Sequence, residues 1–433
     1  MADHWESLSN YIQSVSILDT HEHVTSPHRL KETGRSLLDF ISGLYLRDDL
    51  LSAGLKRKFW GSDLEDKEKW SRLRPHLSRV RNTTYYKVLE TIFRDLYGIK
   101  DDLLHQGWET ISSPVIESAK KGPAWYDTVL KKSNVELVLI DKGQTTDFEI
   151  KVCNTFSPES VYTKESPEKS GYKPFLPVLR IDFFAYAYWS GAAEAIEEKF
   201  GERVATFGEF EEFLKKLIPS LKRRGFKAIK STLAYSRGLD FSNPDRARAE
   251  KAWAAGDTAG EVDGRCFQDY IVWLLSRLVA ESGLTFMVHT GMLCCDARYP
   301  EKAGPQELVK LIRGNPETPY DLFHAGYPCI DHAAAMTKSL PNVYLNLNWL
   351  PVLAQETAER YVREILDVVP MTKVTWGGDS AYIEEVYAHA KLMKEILASV
   401  LAKKCESGRY DLSLCEEIAT RFLRENAREL YHI

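Results

Sequence analysis

The sequence predicts a (β/α)8 barrel carrying a large helical insertion after its first strand. Three observations lead there. Short apolar or β-branched runs recur along the chain with amphipathic stretches between them, the pattern of a parallel sheet covered by helices. Polar residues able to do metal chemistry stand where those runs end, the end that bears the active site in a barrel. No Gly-rich phosphate loop follows the first run, as an open doubly wound sheet would normally show.

The first strand is expected at Ser16 to Asp19. Val135 to Ile140 (VELVLI) is apolar but for one acid, which suits a strand buried on both faces. Pro177 to Ile181, Phe226 to Lys230, Thr285 to His289, Asp321 to His324, Val343 to Leu347 and Lys373 to Trp376 supply the rest. Helices fill the gaps. Phe207 to Arg224 is amphipathic and stops at Gly225, just before the fourth strand. Cys266 to Ser282 stops at Gly283, just before the fifth. Two more helices are expected at Tyr382 to Lys404 and from Leu412 onward.

The chain therefore divides into a barrel, residues 1–27 and 133–433, and an insertion, residues 28–132. The insertion is far longer than a βα connection needs. It carries Trp60, Trp70, Trp108 and Trp125 and a helical stretch from Tyr86 to Tyr97. It reads as a helical cover over the barrel mouth or as a separate small domain. The acid- and lysine-rich region Ser62 to Arg81 reads as a solvated helix face.

Composition narrows the function. With 433 residues, 44% hydrophobic and 27% charged, the chain can bury a core without disulfides or a structural metal. A metal would then serve chemistry. A net charge of −5 argues against broad binding to nucleic acid or anionic membrane and suits a small-molecule substrate. The seven cysteines, among them Cys153, Cys266 and Cys329, include no C-x-x-C and read as reduced thiols. The opening residues show no signal peptide, and no apolar run reaches membrane-spanning length. A cytoplasmic protein is expected, with homo-oligomerisation left open.

Asp19-Thr20-His21-Glu22-His23 closes the first run. Residues two apart in an extended segment point the same way, so His21 and His23 make half a site for zinc or a similar ion. Alone, such a pair reads better as chance surface histidines than as ligands. His289 ends the fifth run (FMVHTG), His324 ends the sixth (LFHAGYP), and Asp379 follows the eighth (WGGDS). Of 11 histidines, these four fall at strand ends, whereas structural histidines would scatter.

Arg180 ends the third run, as a fork for a carboxylate or as the partner of an acid such as Asp182. Tyr235 and Arg237, just beyond the fourth run, are substrate-side candidates or loop structure. Trp349, Tyr327 and His332 line a pocket or simply pack. Cys294 and Cys295, on the loop after His289, are discounted as nucleophiles.

Together D-x-H-x-H, a strand-four lysine, H-T-G, H-A-G-Y-P and a late G-G-D resemble the amidohydrolase superfamily. The resemblance is to its group of uronate isomerases, decarboxylases of carboxylated substrates and the hydrolase-like domain fused to some glutamine synthetases. KSTLAYSRGLDF, FHAGYP, NVYLNLNW and WGGDS, between Lys230 and Asp379, are most similar to the last of these, as is NARELY near the end. The resemblance covers the first strand and most of residues 175–433.

It implies that His21, His23, His289 and Asp379 bind one divalent metal, zinc first, with Asp379 also a general base. His324 would be an acid/base, a donor to developing negative charge, or a second metal's ligand. Lys230 would be a free cation for a substrate carboxylate, a carboxylated bridge between two metals, or a packing residue. The implied reaction is hydrolysis of a small, polar, carboxylated substrate by metal-activated water. A uronate-type isomerase or a non-oxidative decarboxylase is the alternative, and a non-catalytic binding barrel the alternative of another class. The insertion after strand one favours the isomerase; the missing arginine soon after G-G-D-S counts against it.

Overall fold

The computed structural model describes residues 2–141, 172–294 and 300–433; Cys153 and Cys295 lie outside them. Eight strands form one sheet in sequence order. They are β1 (Ile17–Glu22), β2 (Val135–Asp141), β3 (Phe175–Arg180), β4 (Ala228–Ser231), β5 (Thr285–Val288), β6 (Tyr320–Leu322), β7 (Val343–Asn346) and β8 (Val374–Thr375). Pairing from β3 through β8 is parallel throughout. The chain just past β8 returns to β1, where Asp379 N–H donates to His21 O (2.8 Å) and His23 N–H to Ser380 O (2.9 Å). The result is a nearly closed parallel barrel with a helical insertion after its first strand.

Each strand lies within a few residues of its expected place. Two ends moved for visible reasons. β1 runs on to Glu22, so His21 is part of the strand. β6 stops at Leu322 because His324 and Ala325 take left-handed φ of 63° and 51°, which turns the chain out of the sheet.

The chain forms two compact units: Met1–Val138 with Trp349–Glu364 and Gly377–Leu423, and Leu139–Asn348 with Ile365–Trp376 and Arg424–Ile433. In the second, Leu179, Ile229 and Phe286 from the strands share one core with residues of two covering helices. The helix Phe207–Arg223 starts in a capping box, Thr206 with Glu209, and turns Phe210, Leu214 and Ile218 inward. The helix Glu261–Ser282 ends at Gly283, whose φ of 61° makes it a left-handed cap that residues with a Cβ resist. Each such fully buried Leu or Phe contributes about 1.5–3 kcal/mol.

The first unit holds the insertion, whose longer helices are Asp66–Leu77, Thr84–Asp95, Trp108–Lys121 and Pro123–Ser133. Asp66–Leu77 buries Trp70, Leu73 and Leu77 and buries none of its charged residues, as a solvated face should. One buried ion pair of this unit was not visible in the sequence. Arg35 forms a two-pronged ion pair with Glu384 (3.1 and 2.5 Å), at the start of the helix Ile383–Glu406. Tyr97 (2.9 Å) and Trp125 (2.8 Å) also donate to Glu384.

All four donors and acceptors are desolvated, so removing one partner strands a buried charge. Arg35→Met should therefore lower the unfolding free energy by about 3–5 kcal/mol in a urea titration. A loss below about 1 kcal/mol, the range of a solvent-exposed pair, would show that water reaches Glu384. Among the described residues no helix is long and apolar enough to cross a membrane.

Candidate functional site

β1 delivers His21 and His23 with one residue between them. His21 is buried, while the His23 side chain is 30% exposed. Their rings stand edge to face with centroids 4.6 Å apart. Asp379 faces both. Its φ of 59° is uncommon for a residue with a Cβ, and such strain collects at functional sites. In that conformation Asp379 Oδ1 lies 3.4 Å from His21 Nε2 and 3.3 Å from His23 Nε2.

Those separations test the fit to a metal. Ligands held about 2.0–2.1 Å from a zinc ion at tetrahedral angles stand about 3.3–3.4 Å from one another. The observed spacings match those edges, and two imidazole nitrogens with one carboxylate oxygen are a borderline-metal donor set. Both edges from Asp379 to the two imidazoles are therefore of the length a divalent ion needs. Asp141, the last residue of β2, adds a further candidate: one ligand atom each from His21, His23 and Asp141 lie within 4.8 Å of one another. Tyr45, in the insertion, donates from its hydroxyl to Asp379 Oδ1 (3.2 Å). The sequence reading missed both. Asp141 directly follows the expected strand Val135 to Ile140, so its signal was present; Tyr45 had none.

The turn Gly377–Ser380 is built into buried polar groups. A Cβ on Gly377 would stand 2.6 Å from His21 N, so only glycine fits there. Asp19 Oδ1 accepts from His21 N–H (3.0 Å) and Gly378 N–H (3.1 Å). Glu22 accepts from Ser380 N–H and, at 3.2 Å, from its hydroxyl. Burial pushes the Asp19 carboxyl up to about 6. It raises Glu22 well above the usual range, helped by the charge of Asp19. His389 donates from Nδ1 to Gly378 O (2.8 Å), and burial pushes it down to about 4, so its ring is neutral at pH 7.

In the second unit, Arg180 at the end of β3 pairs with Asp141 (2.7 Å). The acid beside Arg180 is thus Asp141, not Asp182. Asp182 instead accepts from Thr232 N–H (2.9 Å) and its hydroxyl. Lys230, next to last in β4, is buried, with Nζ 3.4 Å above the Phe323 ring centroid. Arg237 pairs with buried Asp269 (2.6 Å), which ties the loop after β4 to the helix Glu261–Ser282.

His289 and His324 come together, Nδ1 to Nε2, at 2.9 Å. His289 Nε2 lies 2.9 Å from Met292 O, and His324 Nδ1 lies 3.4 Å from Asn348 O. His324 is held at its left-handed φ by a bond from its N–H to Asn348 Oδ1 (2.8 Å). The Tyr235 ring packs 4.6 Å from His289, and its hydroxyl accepts from Cys294 N–H (3.2 Å). The structure thus gathers the sequence candidates into two sets, His21–His23–Asp379 and His289–His324–Tyr235. Both stand at or just past the C-terminal ends of parallel strands.

Several known proteins are similar to this chain. Protein fluG of Emericella nidulans is 26% identical over 220 residues, 47% of this chain but only 25% of that protein's length. Uronate isomerase from Thermotoga maritima superimposes with a TM-score of 0.76 at 16% identity, covering 99% of this chain and 97% of its own. Glucuronate isomerase from Caulobacter crescentus gives 0.76 at 14% identity, with 99% and 94% covered. A protein assigned as a metal-dependent hydrolase from Lactobacillus casei gives 0.67 at 16%, with 98% and 97% covered. At these identities the likeness is one of fold, and it includes the insertion. The amidohydrolase profile matches residues 182–433, more than half of the chain and the part that holds His289, His324 and Asp379, and the chain belongs to the amidohydrolase family.

Proposed function

We propose that the protein is a metal-dependent isomerase of a small carboxylated sugar, of the uronate type, working around His21, His23 and Asp379. The observation that carries this reading is the Tyr45 hydroxyl on the same Asp379 oxygen that faces both histidines. An aldose–ketose interconversion moves protons between neighbouring carbons and their oxygens and consumes no water. It needs an acid and a base side by side, and Tyr45 with Asp379 is such a pair. Tyr45 comes from residues 28–132, which supports the insertion as one wall of the site. The whole-chain likeness to two isomerases points the same way.

A divalent ion, zinc by its donors, would be held by His21, His23 and Asp379, with Asp141 within reach and His289 the further ligand implied by the family. It would supply polarisation of a substrate hydroxyl or carbonyl oxygen. His324, beside His289, would pass a proton to or from the substrate. Tyr235 would orient His289, and Arg180 and Arg237 would fix the strand-end loops around the substrate.

Lys230 is read as an uncarboxylated ammonium, one ion per chain. Its position over the Phe323 ring supports this, since an aromatic face attracts a cation and would repel a carbamate. Lys230→Ala should leave metal content unchanged and raise KM most for carboxylated substrates. Loss of one of two bound ions in that variant would instead establish the bridged form.

Hydrolysis is the second reading, favoured by a carboxylate set among metal donors, where it would serve as base for a water. The test incubates the metal-loaded protein with hexuronic acids, lactones and N-acyl amino acids. Ketose formed from an aldehydic hexuronate, with deuterium taken up from D2O, is the expected result. Cleavage of a lactone or amide with no ketose from any hexuronate would overturn the isomerase reading.

A further inference from the structure

We infer that His389 is a positioning residue for the metal-binding carboxylate, holding the Gly377–Ser380 turn in the form that aims Asp379 at His21 and His23. This deepens the metal-site reading above and rests on it. A left-handed φ at an aspartate persists only where its surroundings over-determine it. The peptide plane joining Gly378 to Asp379 carries the Gly378 carbonyl on one edge and the Asp379 N–H on the other. Its orientation sets the φ of Asp379.

That plane is held at both edges. Asp379 N–H is fixed by His21 O at 2.8 Å, and Gly378 O is fixed by His389 Nδ1 at 2.8 Å. A carbonyl can only accept, so Nδ1 carries the hydrogen and the tautomer of His389 is set. The Ser380 hydroxyl stands 3.1 Å from the same nitrogen and donates to Glu22. His389 itself is 2% exposed and belongs to the helix Ile383–Glu406, whose first turn is clamped through Glu384 to Arg35. The β1 side of the turn is thus held by β1 itself, and the far side by one imidazole donor.

Three variants separate this role from simple packing. His389→Asn places an amide donor close to where Nδ1 stands. His389→Gln puts its donor nearer the position of Nε2, and His389→Leu fills the space with none. The protein and its variants, stripped of metal and checked by circular dichroism, are titrated with Co(II), which reports affinity and ligand geometry through its visible bands.

His389→Leu and His389→Gln should bind Co(II) about 10–100-fold more weakly, the usual cost of removing an outer partner, with altered bands. His389→Asn should keep the parent spectrum and an affinity within a few-fold. Should His389→Leu fail to fold, His389→Gln carries the same comparison. Parent affinity and spectrum in the folded variants lacking the donor would overturn the inference, as would an asparagine variant no better than leucine. A parent protein that takes up no Co(II) is a different failure: it overturns the metal reading, and this role with it.

Discussion

Asp379→Asn should leave the barrel intact and reduce turnover about 10²–10⁴-fold, the contribution of a positioned general base. Asparagine tolerates the left-handed backbone about as well as aspartate, so the turn after β8 keeps its φ near 59°. The amide oxygen can still face His21 and His23 and still accept from Tyr45. What disappears is the negative charge and the ability to take a proton.

Structure and some metal should therefore survive while chemistry is lost, a separation that alanine at this position would blur. The check is kcat on the substrate found in the panel, alongside metal content and thermal midpoint. A folded, metal-loaded variant turning over near the parent rate would remove Asp379 from the base role. A variant that is slow only because it is empty would make it a ligand alone.

The barrel was legible because its strands are buried on both faces, which forces near-continuous apolar runs between helices that end at glycine. Gly225 and Gly283 adopt the positive φ that those helix ends imply. The histidines were legible for a related reason. A strand interior excludes polar side chains, so His289 and His324 at the ends of apolar runs stand out.

What escaped was tertiary. Glu384 lies 349 residues from Arg35, and neither sits in a local pattern that announces the other. Tyr45 occupies an irregular junction between short helices, where no periodicity marks one side chain as special. His389 reads as one polar position in a mostly buried helix. Asp141 is the instructive miss, because VELVLI was ended one residue before the acid that closes the strand. The pairing of Arg237 with Asp269 could not be read either, since a loop arginine and a helix aspartate carry no mark of contact.

His21→Ala and His23→Ala should each weaken metal binding by more than the roughly 10–100-fold that an outer partner costs, since each would remove a ligand of the proposed site. Both should fold, because the core of the barrel does not run through the ion. They should differ in stability. His21 is 1% exposed, so its removal leaves a cavity at the end of β1, whereas the His23 side chain already meets solvent.

The thermal midpoint of metal-free His21→Ala should therefore fall below that of metal-free His23→Ala. Linkage supplies the second measurement. An ion that binds only the folded state stabilises by RT ln(1 + [L]/Kd), about 2.7 kcal/mol at a hundredfold excess over Kd. Adding zinc should raise the midpoint of the parent and leave both variants nearly unmoved. Full metal occupancy in either variant, or a zinc-induced rise equal to the parent's, would take that histidine out of the metal's coordination sphere.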